Sequence, residues 1–234
     1  MGPARRRGDA ASPPLRLAEL ARFRQAAYRL FGEALRPPEP ERGRALAAVA
    51  CELDSGNGPL ASLAFSPAWS RFLHALAEGG GRASEEAFVR LFVADVEGIC
   101  PPAASHYLAP EAPALVMAWV EREYALAGLS VAAGLAEPPD HAAVELDFMS
   151  LLCGEEADAW SRQALEAGAQ RFDREATFLD RHLCRWFPEF ARRVANRDPR
   201  GFYALVTDTA RAFLLHDLDL VTVLSGRLRE VAGG

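Results

Sequence analysis

Apolar residues recur at spacings of three and four along nearly the whole chain, the period of amphipathic helices. Leu20, Phe23, Ala27, Leu30, Phe31 and Ala34 fall on one side of a stretch from Leu15 to Leu35, which Pro37-Pro38 ends. A second helix is expected over Pro40–Leu53, before the turn Gly56-Asn57-Gly58-Pro59. A third starts near Pro67 with Trp69, Phe72, Leu73 and Leu76, and Gly79-Gly80-Gly81 breaks it. Ser84 is placed to cap a fourth, whose buried side is Phe88, Leu91 and Phe92.

Cys100 to Leu108 reads as a loop that its prolines hold extended. Glu111 to Gly128 follows as a helix that brings Leu115, Trp119 and Leu126. After Pro138-Pro139, Asp140 stands where an N-cap belongs, and a helix runs to about Ala157 on Val144, Phe148, Leu151 and Leu152. Further helices are expected over Trp160–Cys184, Glu189–Ala195, Gly201–Leu215 and Leu218–Val231, with a bend at Trp186-Phe187-Pro188. No strand alternation and no fixed-period repeat occurs. The expected fold is all-α: one helical domain of about nine to eleven helices over residues 15–234, behind a disordered tail, residues 1–14.

The 234-residue chain carries a formal charge of −6, which disfavours nucleic acid or an anionic membrane as the main partner. Its four cysteines are dispersed, with no CxxC pair, so neither a disulfide framework nor a zinc knuckle is expected. Arg5-Arg6-Arg7 is followed by Gly8 to Pro14 rather than an apolar run, and no segment reaches the roughly 18 apolar residues of a membrane span. A cytoplasmic location is expected.

The candidate chemistry gathers at Glu137-Pro138-Pro139-Asp140-His141. His141 and Glu145 are four apart, so carboxylates and an imidazole are expected together at a rigid helix entry. A metal-dependent hydrolase built on Asp140 and His141 is one reading, although His74, His106, His182 and His216 show no ligand spacing. There is no phosphate loop and no GxSxG elbow. The four tryptophans are expected in the core, and Glu155, Glu156, Asp158, Asp217 and Asp219 on a solvated face.

Three segments together resemble the TorD/DmsD family of redox-enzyme maturation chaperones. The signature is Glu137 to His141 followed by Glu145-Leu146-Asp147-Phe148-Met149. Upstream, Leu91-Phe92 and Pro101-Pro102 through Ser105, Tyr107 and Leu108 resemble that family's PPYxSxY segment, with Ala103 in place of an aromatic and His106 between Ser105 and Tyr107. Downstream, Phe178 to Tyr203 resembles its C-terminal helices. The related nitrate-reductase chaperones resemble the chain less.

The resemblance implies an all-helical fold without enzymatic turnover, catalytic residue, metal or cofactor. It implies a partner: the apo catalytic subunit of a molybdopterin oxidoreductase, held by its twin-arginine signal peptide until cofactor insertion. Ser105, Tyr107, Glu137, Pro138, Asp140 and His141 are the implied peptide-binding residues. It leaves open a homodimer formed by segment exchange and a GTP-responsive member. An unrelated helical interaction module is the remaining reading.

Overall fold

The computed structural model describes residues 13–55, 66–78, 85–93, 99–130 and 136–232. Its helices are α1 (Pro13–Ala34), α2 (Pro40–Ser55), α3 (Ser66–Ala77), α4 (Glu85–Phe88), α5 (Ser105–Leu108), α6 (Pro113–Leu126), α7 (Ala142–Ser161), α8 (Leu165–Phe178), α9 (Cys184–Arg197) and α10 (Phe202–Ala232). Among the described residues there is no strand, only an isolated antiparallel bridge between Ala103 and His141. The all-α expectation holds. Residues 1–12, the Gly56–Pro59 turn, the Gly79–Gly81 break and the Ser84 cap lie outside the described residues. Pro13 and Pro14, assigned to the tail, instead open α1, where their missing N–H groups cost nothing.

The most extensive packing is α1 along α7. Two glycines permit that approach. A Cβ on Gly32 would lie 3.2 Å from the carbonyl oxygen of Ala143, and one on Gly154 would meet Gln25 Nε2 at 2.5 Å. Phe31, Trp69, Phe72 and Phe213 extend the core across α3 and α10, with Phe31 stacked on Phe72 at 5.1 Å between centroids. Burial of such side chains contributes roughly 1.5–3 kcal/mol each.

Several boundaries differ from the sequence expectation. Trp160 belongs to the end of α7, which closes at Arg162 with Gln163 at φ 58°. Gln163 N–H donates to Trp160 O (3.0 Å) and Ala164 N–H to Ala159 O (2.9 Å), a Schellman closure without its usual glycine. The helix break expected at Pro188 does not occur. The chain stays helical from Leu165 to Arg197, through a π-helical turn at Leu179–Leu183 and past Pro188 inside α9. The last two expected helices are one, α10, because no breaker separates Leu215 from Leu218. In α6 the inward face is Val116, Val120 and Tyr124, while Leu115 and Leu126 are exposed, as is Leu151 in α7.

The acidic group assigned to a solvated face divides. Glu156 and Asp217 are buried around Arg24 of α1, which is 1% exposed. Arg24 Nε donates to Asp217 Oδ1 and its Nη1 to Glu156 Oε2, each at 2.6 Å, and Nη2 reaches Glu175. Tyr28 also donates to Asp217, and Trp160 to Glu156 at 2.7 Å. One guanidinium thereby ties α1 to α7, α8 and α10 through charge-assisted bonds.

Candidate functional site

Pro101 and Pro102 lack N–H groups, and the carbonyl of Pro102 is left to accept from elsewhere in the chain. It takes Ala142 N–H at 2.7 Å, while Ala104 N–H donates to Asp140 O at 2.9 Å. The Asp140 side chain then accepts the N–H of Ser105, the first residue of α5, at 2.8 Å. Two segments more than thirty residues apart are thus locked at the entry to α7. Residues 105–108, expected as extended loop, form a helical turn because Asp140 takes an N–H at its start.

The cap of α7 is His141, not Asp140. Its backbone is extended (φ −73°, ψ 139°), and Nδ1 accepts Ala143 N–H at 3.2 Å. Burial lowers its pKa to about 4, against the opposing pull of Glu137, so the neutral ring caps the helix. The expected display of carboxylates and imidazole is reversed: Asp140 is 1%, His141 8% and Glu145 0% exposed. Asp140 Oδ1 is buried without a partner.

Glu145 joins a second brace that the sequence did not reveal. Its Oε1 lies 2.5 Å from His182 Nε2, and its Oε2 accepts Trp186 Nε1 at 3.0 Å. Burial pushes the Glu145 carboxyl upward, with His182 and Trp186 pulling the other way. The His182 ring stacks on Trp119 at 4.8 Å, and Trp186 stacks on Tyr107 at 5.6 Å. Tyr107 therefore rests on a ring that Glu145 fixes. The Arg193 guanidinium covers the Tyr107 ring at 4.9 Å from its centroid. The i, i+4 spacing of His182 to Trp186 on an apolar face was the available signal, but nothing in it indicates Glu145 as the partner.

The outer part of the site is Glu137 and Pro138. Pro138 is exposed, and its carbonyl accepts His141 N–H at 3.0 Å. Pro139 offers its carbonyl to Tyr124 Oη at 2.8 Å, fixing the turn against α6. Glu137 faces Arg36 Nε at 3.7 Å, a loose pair, because the same guanidinium bonds Asp147 at 2.5 Å and Glu33 at 3.2 Å. All six sequence-indicated residues therefore lie at one junction, with Ser105, Asp140 and His141 inside it and Glu137 and Pro138 at its rim.

For a hydrolytic metal, the Asp140 and His141 atoms that would coordinate are partly committed, to Ser105 N–H and Ala143 N–H. Among the described residues, the side chains close enough to share an ion are Cys153, Glu156 and Glu175, within 4.8 Å of one another. Arg24 already donates to both of those carboxylates.

The sequence profile described as "Nitrate reductase delta subunit" matches residues 60–192, a span holding both locked segments and the Glu145 brace. The chain belongs to this family, that of the TorD maturation chaperones. Chaperone protein TorD of Vibrio cholerae is 34% identical over 93 residues, covering 38% of this chain and 40% of that protein. Its Vibrio vulnificus counterpart is 30% identical over 138 residues, covering 56% of this chain and 61% of the relative. The matched regions span less than two thirds of these relatives' own length. Both are named as chaperones rather than enzymes, and as TorD rather than nitrate-reductase proteins. A putative redox enzyme maturation protein from Archaeoglobus fulgidus overlays with a TM-score of 0.49 at 19% identity, over 90% of this chain and 99% of its own. Among the described residues no helix is long and apolar enough to cross a membrane.

Proposed function

We propose that this chain is a cytoplasmic chaperone. It binds the apo catalytic subunit of a molybdopterin oxidoreductase by its twin-arginine signal peptide and delays export until the cofactor is in place. Family membership and the TorD relatives support the chaperone role. The observation that carries the site is the lock between Asp140 and Ser105, which holds the family's two signature segments as one rigid junction.

The six residues take different parts in this reading. Glu137, Pro138 and Tyr107 meet the peptide. Asp140, His141 and Ser105 are positioning residues, since they are buried. The positive end of α7 opposes a cation placed directly on its cap, which also favours the rim. At the rim, an incoming guanidinium exchanges with Arg36 for the Glu137 carboxylate, one charge-assisted bond replacing another.

The test is calorimetry of the full chain with a synthetic twin-arginine leader peptide. Glu137→Gln is expected to weaken binding by loss of the negative charge that strengthens the bond to a guanidinium. Asp140→Ala and His141→Ala are expected to weaken it while helicity measured by circular dichroism is retained. Unchanged affinity in all three variants would remove the junction from the binding site. Retention of a leader-bearing molybdopterin subunit on tagged protein from molybdate-limited cells would identify the partner.

A further inference from the structure

A groove of about 680 Å³ lies between α1 and α2, away from the junction's buried core. Its floor is apolar: Ala26 and Leu30 from α1, with Ala45, Leu46 and Val49 from α2. From Arg22 to Glu33 it follows α1 for about 17 Å at 1.5 Å per residue.

Charge is graded along this length. At the α1 C-terminal end the lining carboxylates are Glu33, Glu39 and Glu41. Arg42 bonds Glu33 at 3.0 Å, and Glu33 also takes Arg36, whose guanidinium continues to Asp147 and Glu137. Four carboxylates, Glu33, Glu39, Glu137 and Asp147, thus share two guanidiniums, with Glu41 a fifth beside them, and the acidic end runs on to the rim of the signature turn. At the opposite end the lining charges are Arg29 and Arg22, the latter paired with Asp158.

We infer that this groove seats an apolar helical segment of the partner carrying guanidiniums at one end, oriented with those guanidiniums at Glu33, Glu39 and Glu41. The inference rests on the chaperone reading above and supplies the place for the part of the leader that the junction does not hold. The apolar floor removes the segment's aliphatic face from water. The unbalanced carboxylates at one end fix its direction, and Arg29 at the other opposes the reversed orientation by like-charge repulsion.

The experiment is fluorescence anisotropy of the full chain with a labelled peptide bearing an arginine pair before a leucine-rich stretch, and with its glutamine-pair counterpart. Ala45 is exposed, so Ala45→Trp fills the groove without touching the core. It is expected to weaken the arginine peptide by about tenfold or more. The double variant Glu39→Arg, Glu41→Arg is expected to weaken the arginine peptide and spare the glutamine peptide. Wild-type affinity in Ala45→Trp, with loss in Glu137→Gln, overturns the groove and leaves the chaperone reading intact. No binding by the wild-type chain overturns both. Conversion of a dimer to a monomer by Ala45→Trp, with peptide affinity unchanged, overturns the inference in favour of self-association.

Discussion

The carboxylate of Asp140 accepts the backbone N–H of Ser105 at 2.8 Å, both residues being buried. A side chain just before one helix thereby serves the first turn of another, and two segments distant in sequence become one piece. The single bond also explains why an aspartate precedes a helix that it does not cap.

Removing that carboxylate leaves Ser105 N–H without its acceptor inside the protein. Hydrogen bonds to charged groups are worth ~1.5–3 kcal/mol net, so Asp140→Ala should lower unfolding free energy by about 2 kcal/mol. Asp140→Asn, which retains an oxygen, should lose less. Urea unfolding measures both, and equal midpoints for Asp140→Ala and wild type would show that the lock contributes nothing.

Arg24 should be far more sensitive than its single positive charge suggests. Arg24→Met strands Glu156, Glu175 and Asp217 without their shared guanidinium, and breaking such a buried network costs ~3–5 kcal/mol. Arg24→Lys should restore only part, since an ammonium lacks the planar fork that serves three partners.

The same cluster makes stability fall with rising pH. Burial, with Glu175 adding to it, pushes the Glu156 carboxyl up to about 9, and burial raises Glu175 as well. Protons bind the folded form more tightly, so the contribution is full below the unfolded glutamate pKa and is lost as pH rises through about 9. Glu156→Gln should flatten that alkaline loss in denaturant midpoints measured across the range.

His141 produces the opposite slope on the acid side. Its folded pKa is depressed to about 4 by burial, so the unfolded chain takes up a proton first. Stability from this group is present above the ordinary histidine value of about 6.5 and declines as pH falls toward the folded pKa. His141→Asn keeps an acceptor at the cap and should abolish this part of the acid sensitivity. An unaltered acid profile in that variant would exclude His141 as its source.

Gln163 offers a stabilising change. It holds φ 58° at the close of α7, a conformation that favours glycine. Gln163→Gly should therefore raise unfolding free energy by about 0.5–1 kcal/mol, read as a small increase in Tm. A lower Tm would mean that the Gln163 side chain contributes more than its backbone costs.

Much of this was legible in advance. The three-and-four spacing of Phe23, Ala27, Leu30 and Phe31 fixed α1, and Pro138-Pro139 fixed the start of α7 to within a residue. The six residues expected at the peptide site lie at one junction, and they could be grouped in advance because they fall in two short motifs. Boundaries failed where the local signal was misleading: Gln163 ends a helix without glycine, and Pro188 sits inside one without ending it.

The sequence by itself determined an all-helical chain and the signature of its family, because helical periodicity, prolines and short motifs are properties of neighbouring residues. Only the tertiary structure decided which polar groups face inward. Asp140, Glu145, Glu156 and Asp217 look alike as acidic residues on or beside helices, yet each is buried by a partner distant in sequence: Ser105, His182 with Trp186, and Arg24. Burial of a charge depends on a matching donor arriving from another helix. That is settled by how α1, α7, α8, α9 and α10 pack, and no local pattern encodes it.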